Sequence, residues 1–212
     1  GPVNDKLRVA FLTNLVSPYR RPMFQALAAT PDWELTVMIN ASREFDRPEW
    51  AGSVCPGVKV VGSKGLAIRR NHVATEPIRI AHRTTTHVPC TIGRDLRRAR
   101  PDVVISTELG PRTLLAARYC RRHGIPLLVW SYRNRATASA RGHLRSWAQR
   151  FLLRNTAMFI GMGSQAREVL RGIGVADQQI DFSRPHERRS LHDVVLPLAI
   201  DVAERNLAEL LN

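Results

Sequence analysis

Short apolar runs alternate with stretches of helical period along most of this chain, and the rhythm predicts its elements. Leu7–Thr13 reads as a buried strand that stops at the polar residues Thr13 and Asn14. Through Leu15, Val16, Ser17, Pro18 and Tyr19 it gives way to a helix over about 19–29, with Phe24, Leu27 and Ala28 on one face. Ser17 is the expected N-cap, and proline suits the first turn because its missing N–H would find no partner there. Trp33–Ile39 follows as a second strand, rich in apolar and β-branched residues. Positions 40–57 read as a polar loop and 58–61 as a short strand, whereas 62–86 show no clean period and are expected to be irregular. A helix is predicted over 90–100, with Ile92, Leu96 and Ala99 inward.

Beyond it the alternation is regular. Strands are expected at Val103–Thr107, 126–130, 158–161 and 180–182. Between them lie helices at 113–123, carried by Leu114, Leu115, Ala117 and Tyr119 and stopped by Gly124, at 144–154, and at 164–170, capped by Ser164 and closed by Gly172 and Gly174. Repeated strand–helix units of this kind imply an α/β fold: a doubly wound, mostly parallel, Rossmann-like sheet with right-handed crossovers and helices on both faces. The expected domain runs over 3–182. A linker at Ser183, Arg184 and Pro185 then leads into a C-terminal helical tail to 212, whose apolar stripe (Leu191, Val194, Leu198, Val202) packs back on the domain.

Composition agrees with a globular domain: 44% apolar and 24% charged residues in 212. A chain of this size hides roughly 70% of its unfolded surface. No apolar run is long enough for a bilayer, and no signal-peptide pattern opens the chain, so a cytoplasmic protein is expected. Gly1-Pro2 reads as a remnant of tag cleavage. Cys55, Cys90 and Cys120 are odd in number and widely spaced, as expected of reduced thiols. Net charge is +14, nearly all from arginine, and positions 94–154 alone hold 14 arginines against three carboxylates. Such a field attracts phosphorylated substrates, anionic lipid or nucleic acid. No zinc-finger spacing and no RNP pattern lies beneath it, so nucleic acid is not the expected partner.

Three local patterns carry weaker chemistry. Gly161-x-Gly163-x-x-Ala166 follows a strand, with Asp177 and Asp181 further on, and matches a dinucleotide-binding pattern. It stands in the last strand–helix unit rather than the first, so a tight turn with a close helix–sheet contact is the preferred reading. His82, His87 and Cys90 lack a fourth regularly spaced ligand, so no metal site is assigned. Helix 144–154 places Leu144, Trp147, Phe151 and Leu152 on one side among arginines. Such a helix lies on an anionic membrane or, the preferred reading, covers the sheet with its apolar side inward.

The stronger constellation lies at strand ends, because open α/β sheets bind ligands outside the carboxyl ends of their strands. Asn14, Ser17 and Arg20 follow the first strand; Glu108 ends the strand at Val103–Thr107; Ser131, Tyr132 and Arg133 follow the strand at 126–130. Glu108 is the candidate catalytic residue, a general base toward an acceptor hydroxyl, and Arg20 and Arg133 can hold a phosphate.

The residues Val9-Ala10-Phe11-Leu12-Thr13-Asn14 with Ser17-Pro18-Tyr19-Arg20-Arg21-Pro22, Arg100-Pro101-Asp102-Val103-Val104, His123-Gly124-Ile125-Pro126, and Gly163-Ser164-Gln165-Ala166 with Gly174-Val175 resemble, in order and spacing, the N-terminal half of GT-B glycosyltransferases of the family 4 type. The resemblance spans about 7–182. It implies a Rossmann-like acceptor domain that works with a second domain binding a nucleotide sugar, the co-substrate of the whole enzyme; no cofactor is expected in this chain. The family's Glu-x7-Glu donor signature is missing, and Leu15-Val16-Ser17-Pro18 replaces the glycine-rich first loop of many relatives. A histidine often ends the family's fourth strand, and the matching position here is near Glu108. The resemblance thus implies an acceptor-binding domain for a cell-surface glycan or lipid-linked sugar, inactive by itself. Its partners would be the acceptor, a donor-binding domain or chain, and the inner face of a membrane. A non-catalytic binding or assembly module, or half of a two-chain enzyme, is the alternative.

Overall fold

The structure, a computed structural model, describes residues 6–40, 55–72, 82–131, 143–162 and 164–183. In chain order these form β1 (Leu7–Thr13), a 3-10 turn (Pro18–Arg20), α1 (Arg21–Ala28), β2 (Trp33–Ile39), β3 (Lys59–Gly62), β4 (Leu66–His72) and β5 (His82–Val88). Then come α2 (Ile92–Ala99), β6 (Val103–Thr107), α3 (Pro111–His123), β7 (Leu127–Ser131), α4 (His143–Asn155), β8 (Met158–Met162), α5 (Ser164–Gly172) and β9 (Ile180–Ser183).

Seven strands make one sheet in the order β3-β2-β1-β6-β7-β8-β9, and every neighbouring pair is parallel. From β1 the chain winds outward to β3, then returns and winds the other way from β6 to β9. The crevice between β1 and β6 is therefore the topological switch point. Strands buried on both faces explain the unbroken apolar runs of β1, β6 and β7. On one face Phe24 and Leu27 of α1 pack against Val9, Phe11, Val37 and Ile105. Phe11 meets Phe24 and Trp130 edge to face, at 5.0 and 5.9 Å between ring centres. On the other face Leu96, Ala117, Leu152 and Leu170, from α2, α3, α4 and α5, pack against Ala10, Leu12, Val104 and Phe159.

Several expected boundaries shift for physical reasons. Ser17 stands at the cap position of the 3-10 turn, but its hydroxyl makes no capping bond, and α1 begins only at Arg21. α3 starts at Pro111, and its buried stripe is Arg112, Thr113, Ala116, Ala117 and Cys120; Leu114, Leu115 and Tyr119 are only partly buried. Ser164 is the first residue of α5, which runs to Gly172 and is closed by Gly174 at φ +94°. In α4 Leu152 is buried, whereas Trp147 is 56% exposed and stacks on Phe151. Trp147 therefore does not join the core. Ser183, assigned by sequence to the linker, pairs with Met162 as the last residue of β9. The expected linker remainder and helical tail, 184–212, lie outside the described residues.

The largest correction concerns 62–86. β4 and β5 pair antiparallel from Leu66↔Val88 to His72↔His82. Their sequences mix threonine and β-branched residues, which favour strands, with arginine and histidine, which hide the apolar period. The base of this hairpin is tied to α2: Lys64 N donates to Thr91 Oγ1 at 2.9 Å, and Thr91 Oγ1 donates to Asp95 Oδ2 at 2.7 Å. Gly65 is obligatory there, because a Cβ would lie 2.1 Å from the Val88 carbonyl oxygen.

At the amino ends of the strands, Arg8 and Asp102 close the seam between β1 and β6. Arg8 Nε and Nη2 donate to the carboxylate at 3.1 and 2.7 Å, and Arg8 N donates at 2.9 Å.

Candidate functional site

The opposite edge of the sheet is built on different lines. β1 and β6 both end in hydroxyl residues, Thr13 and Thr107, which are buried. Thr107 Oγ1 donates to the Leu12 carbonyl at 3.2 Å and thereby ties the strand ends together. Above them lies Arg112, in the first turn of α3 and only 3% exposed. Its Nη1 donates to Asn14 Oδ1 at 2.6 Å. Its Nη2 donates to the Thr107 carbonyl and, at 2.9 Å, to Thr107 Oγ1. Arg112 thus fixes the Asn14 amide over the switch point. Burying a guanidinium is expensive even when it is well hydrogen-bonded. A cation in the first turn also opposes the helix dipole.

Glu108 lies between β6 and α3, half-buried, in the left-handed region at φ +72°. A non-glycine residue there carries backbone strain of about 1 kcal/mol. The turn is held by Thr113 Oγ1, which donates to the Glu108 carbonyl, and by Ser106 Oγ, 2.8 Å from Thr113 Oγ1. Arg20 is half-buried, and its Nη1 donates to Thr13 Oγ1 at 3.4 Å. Ser17 is 4% exposed and its hydroxyl has no partner among the described residues.

Carrying the strand register one or two residues past its last pairs sets a row of residues along this carboxyl edge. Thr13 pairs with Ile39, so Asn14 stands beside Asn40, and the Asn40 N–H donates to the Asn14 carbonyl at 3.0 Å. Ile39 pairs with Gly62, which sets Asn40 beside Ser63. Leu12 pairs with Ser106, which brings Asn14 level with Glu108. Thr107 pairs with Trp130, which brings Glu108 level with Ser131. The row Ser63, Asn40, Asn14, Glu108, Ser131 is polar throughout, one residue at the carboxyl end of each of five adjacent strands.

The structure therefore brings Asn14, Arg20 and Glu108 to one edge, with Ser17 in the loop that joins β1 to α1. Ser131 ends β7 at its place in the row, and its side chain is not described; Tyr132 and Arg133 lie outside the described residues. Sequence reasoning missed Arg112. A basic residue directly after Pro111 at a helix start was the available signal. It also missed Asn40 and Ser63, each the first polar residue after a strand, as Asn14 is.

A separate apolar pocket of about 200 Å³ opens beside the Glu108 turn, lined by Leu109, Pro111, Leu114, Ala148, Leu152 and Ile173 among others. No three histidine, cysteine, aspartate or glutamate residues come together to hold a metal among the described residues. Burial pushes the Cys120 thiol up to about 12 and raises Cys55, which removes both from thiolate chemistry at neutral pH. At Gly161 a Cβ would meet Leu170 Cδ1 at 3.5 Å and Ala166 Cβ at 3.7 Å, so this glycine serves the close contact of β8 with α5. Asp177 is engaged by Arg171 at 2.6 and 3.0 Å. Among the described residues no helix is long and apolar enough to cross a membrane.

Comparison with known proteins agrees with this architecture. A HepE protein from Anabaena solved with UDP-glucose is similar at 9% identity and TM-score 0.52, over 89% of this chain and 50% of that one. A Listeria monocytogenes protein described as a UDP-N-acetylglucosamine 2-epimerase is similar at 15% identity and TM-score 0.50, over 82% of this chain and 44% of that one. The chain spans about half the length of these structures, and the likeness establishes the fold of a GT-B N-terminal domain. No curated protein sequence matches the chain. The profile of the glycosyl transferase 4-like domain matches residues 16–185, from the turn after β1 to just past β9, and the chain belongs to that family.

Proposed function

We propose that this chain is the acceptor-binding domain of a glycosyltransferase. The observation that carries the reading is the switch-point cluster, in which buried Arg112 holds Asn14 level with Glu108. A buried cation that fixes an amide beside a carboxylate residue in a strained backbone conformation is expensive to bury, which supports a site kept for function. In this reading Asn14 and Ser17 hydrogen-bond an acceptor hydroxyl, and Glu108 takes its proton as sugar transfers. Arg20, with Arg133 and the Ser131 and Tyr132 region, holds a phosphate of the acceptor or donor. The donor is a nucleotide sugar, bound by a second domain or partner chain across the crevice. Acceptors of this kind are glycans or lipid-linked sugars, and the proposed location is the cytoplasm, at the inner face of the membrane.

The test uses the chain alone and together with its donor-binding half. Alone, it transfers no sugar from UDP-glucose or UDP-N-acetylglucosamine. With the donor-binding half present, Glu108→Gln lowers kcat at least a hundredfold while leaving UDP affinity unchanged. Turnover by the chain alone, or an unaffected Glu108→Gln enzyme, overturns the reading. The second reading is a binding module or half of a two-chain enzyme. Co-purification of a separate donor-binding polypeptide supports it.

A further inference from the structure

A strong charge imbalance lies on the helices that cover the sheet. From 109 to 167 the chain has eleven arginines and no aspartate or glutamate. α3 and α4 fall inside that stretch and pack side by side over one face of the sheet. The buried stripe of α3 is Arg112, Thr113, Ala116, Ala117 and Cys120, which leaves Arg118, Arg121 and Arg122, spaced i, i+3 and i+4, on the exposed side. In α4 Leu152 is buried, whereas Arg150 and Arg154, one turn apart, are exposed. Trp147 stands with them, and its ring stacks on Phe151 at 5.8 Å between centres. The Arg121 guanidinium lies 5.8 Å from the centre of the Phe151 ring, so the two helices present one continuous surface. Trp147 is 56% exposed and forfeits the burial that stabilises Trp33, which is 2% exposed.

We propose that the outer face of α3 and α4 is a docking surface for an anionic lipid bilayer; this rests on the membrane location given to the acceptor domain above and names the surface responsible. The exposed arginines meet lipid phosphates, and Trp147 with Phe151 sits at headgroup depth, where an amphipathic ring is favoured. The apolar pocket selects lipid over nucleic acid as the polyanion. It lies between the same two helices, lined by Leu114 of α3 and by Ala148, Leu152 and Leu153 of α4. A bilayer offers hydrocarbon to such a pocket as well as phosphate to the arginines, whereas a nucleic acid offers no hydrocarbon chain. Leu109 and Gly110 line the same pocket and join it to the Glu108 turn. Docking by this face therefore sets the Glu108 end of the sheet near the membrane surface, where a lipid-linked acceptor presents its sugar.

Flotation of the whole chain with vesicles tests this. The chain binds vesicles of phosphatidylcholine with phosphatidylglycerol, and binds phosphatidylcholine alone far more weakly. Trp147→Ala weakens binding to the anionic vesicles about tenfold, and Trp147→Phe restores most of it. The pair Arg121→Gln with Arg150→Gln weakens it at least tenfold, whereas Lys59→Gln with Lys64→Gln, an equal loss of charge on and beside β3, has little effect. All of these side chains are exposed, so each variant keeps its Tm, which is measured alongside. Acyl chains brominated near the headgroup quench fluorescence in the chain and not in Trp147→Phe. Equal losses from the arginine and lysine pairs, or binding unchanged in Trp147→Ala, reduce the effect to net charge and overturn the surface. Failure to bind anionic vesicles, or tighter binding to random DNA that Trp147→Ala leaves unchanged, overturns it as well. None of these failures touches the acceptor-domain reading, which stands or falls on sugar transfer by the Glu108→Gln enzyme.

Discussion

The two ends of the β1–β6 seam solve the same problem in opposite ways. At the amino ends, Arg8 and Asp102 form a two-pronged ion pair reinforced by the Arg8 N–H, with side chains 42% and 38% exposed. Opposite charges meet near water, where desolvation is small. At the carboxyl ends, an arginine is buried and donates to an amide, a carbonyl and a hydroxyl. One end is a clamp that holds two strands. The other fixes Asn14 in place at the cost of a buried charge, at the place where α/β sheets bind ligands. Substitutions should separate the two by size and by kind.

The largest effect is expected at the buried end. Arg112→Ala removes charge-assisted bonds from Asn14 and Thr107 and leaves their oxygens without those donors, so a loss of about 3 kcal/mol is expected in urea unfolding. Arg112→Lys retains the charge but lacks the fork that reaches both residues, and recovers only part of that loss. Asp102→Ala is the matched change at the exposed end. It frees Arg8 to water, and about 1 kcal/mol is expected, since half-exposed pairs are screened. If Asp102→Ala costs more than Arg112→Ala, the contrast between clamp and site fails.

The sequence shows this asymmetry only in part. The strands β1, β6, β7 and β8 are legible because both of their faces are covered, so each is an apolar run, and the parallel order follows from the helices between them. The hairpin β4–β5 is not legible, because its arginines, histidines and threonines carry no apolar alternation and its support comes from Thr91 and Asp95, far along the chain. In the site, Asn14 and Glu108 are found by the rule that polar residues at strand ends face the crevice. Arg112 is not, because burial of an arginine depends on the packing of α3 over β6, which no local pattern encodes. Asn40 and Ser63 need the strand register, a tertiary fact.

A gain in stability would sharpen the contrast further. Glu108 occupies a conformation that suits glycine, so Glu108→Gly relieves strain and is expected to stabilise the chain by about 0.5–1 kcal/mol, read as a rise in Tm. In the two-part enzyme the same change should abolish transfer. A protein that becomes more stable as it loses activity marks the residue as kept for chemistry. A fall in Tm instead assigns the Glu108 side chain a structural role and moves the site's strain elsewhere.

The smallest effect is expected at Arg171 and Asp177, an ion pair with the same two-pronged geometry as Arg8 and Asp102 but without a main-chain donor. The Arg171 hydrogen bond holds the Asp177 carboxyl below the usual carboxylate range. Its folded pKa is lowered, so the contribution is present above the ordinary value of 3.8 and is lost as pH falls through the lowered one. Both side chains are open to water, so salt screens the pair. Asp177→Asn should lower Tm slightly at pH 7 in low salt, and the gap should close both in 1 M salt and in strong acid. Asp102→Ala should retain part of its deficit in salt, because the bond from the Arg8 N–H is lost as well as the ion pair. If salt erases both deficits equally, the amino-end clamp is only another surface pair, and the seam owes its closure to the parallel ladder between β1 and β6 alone.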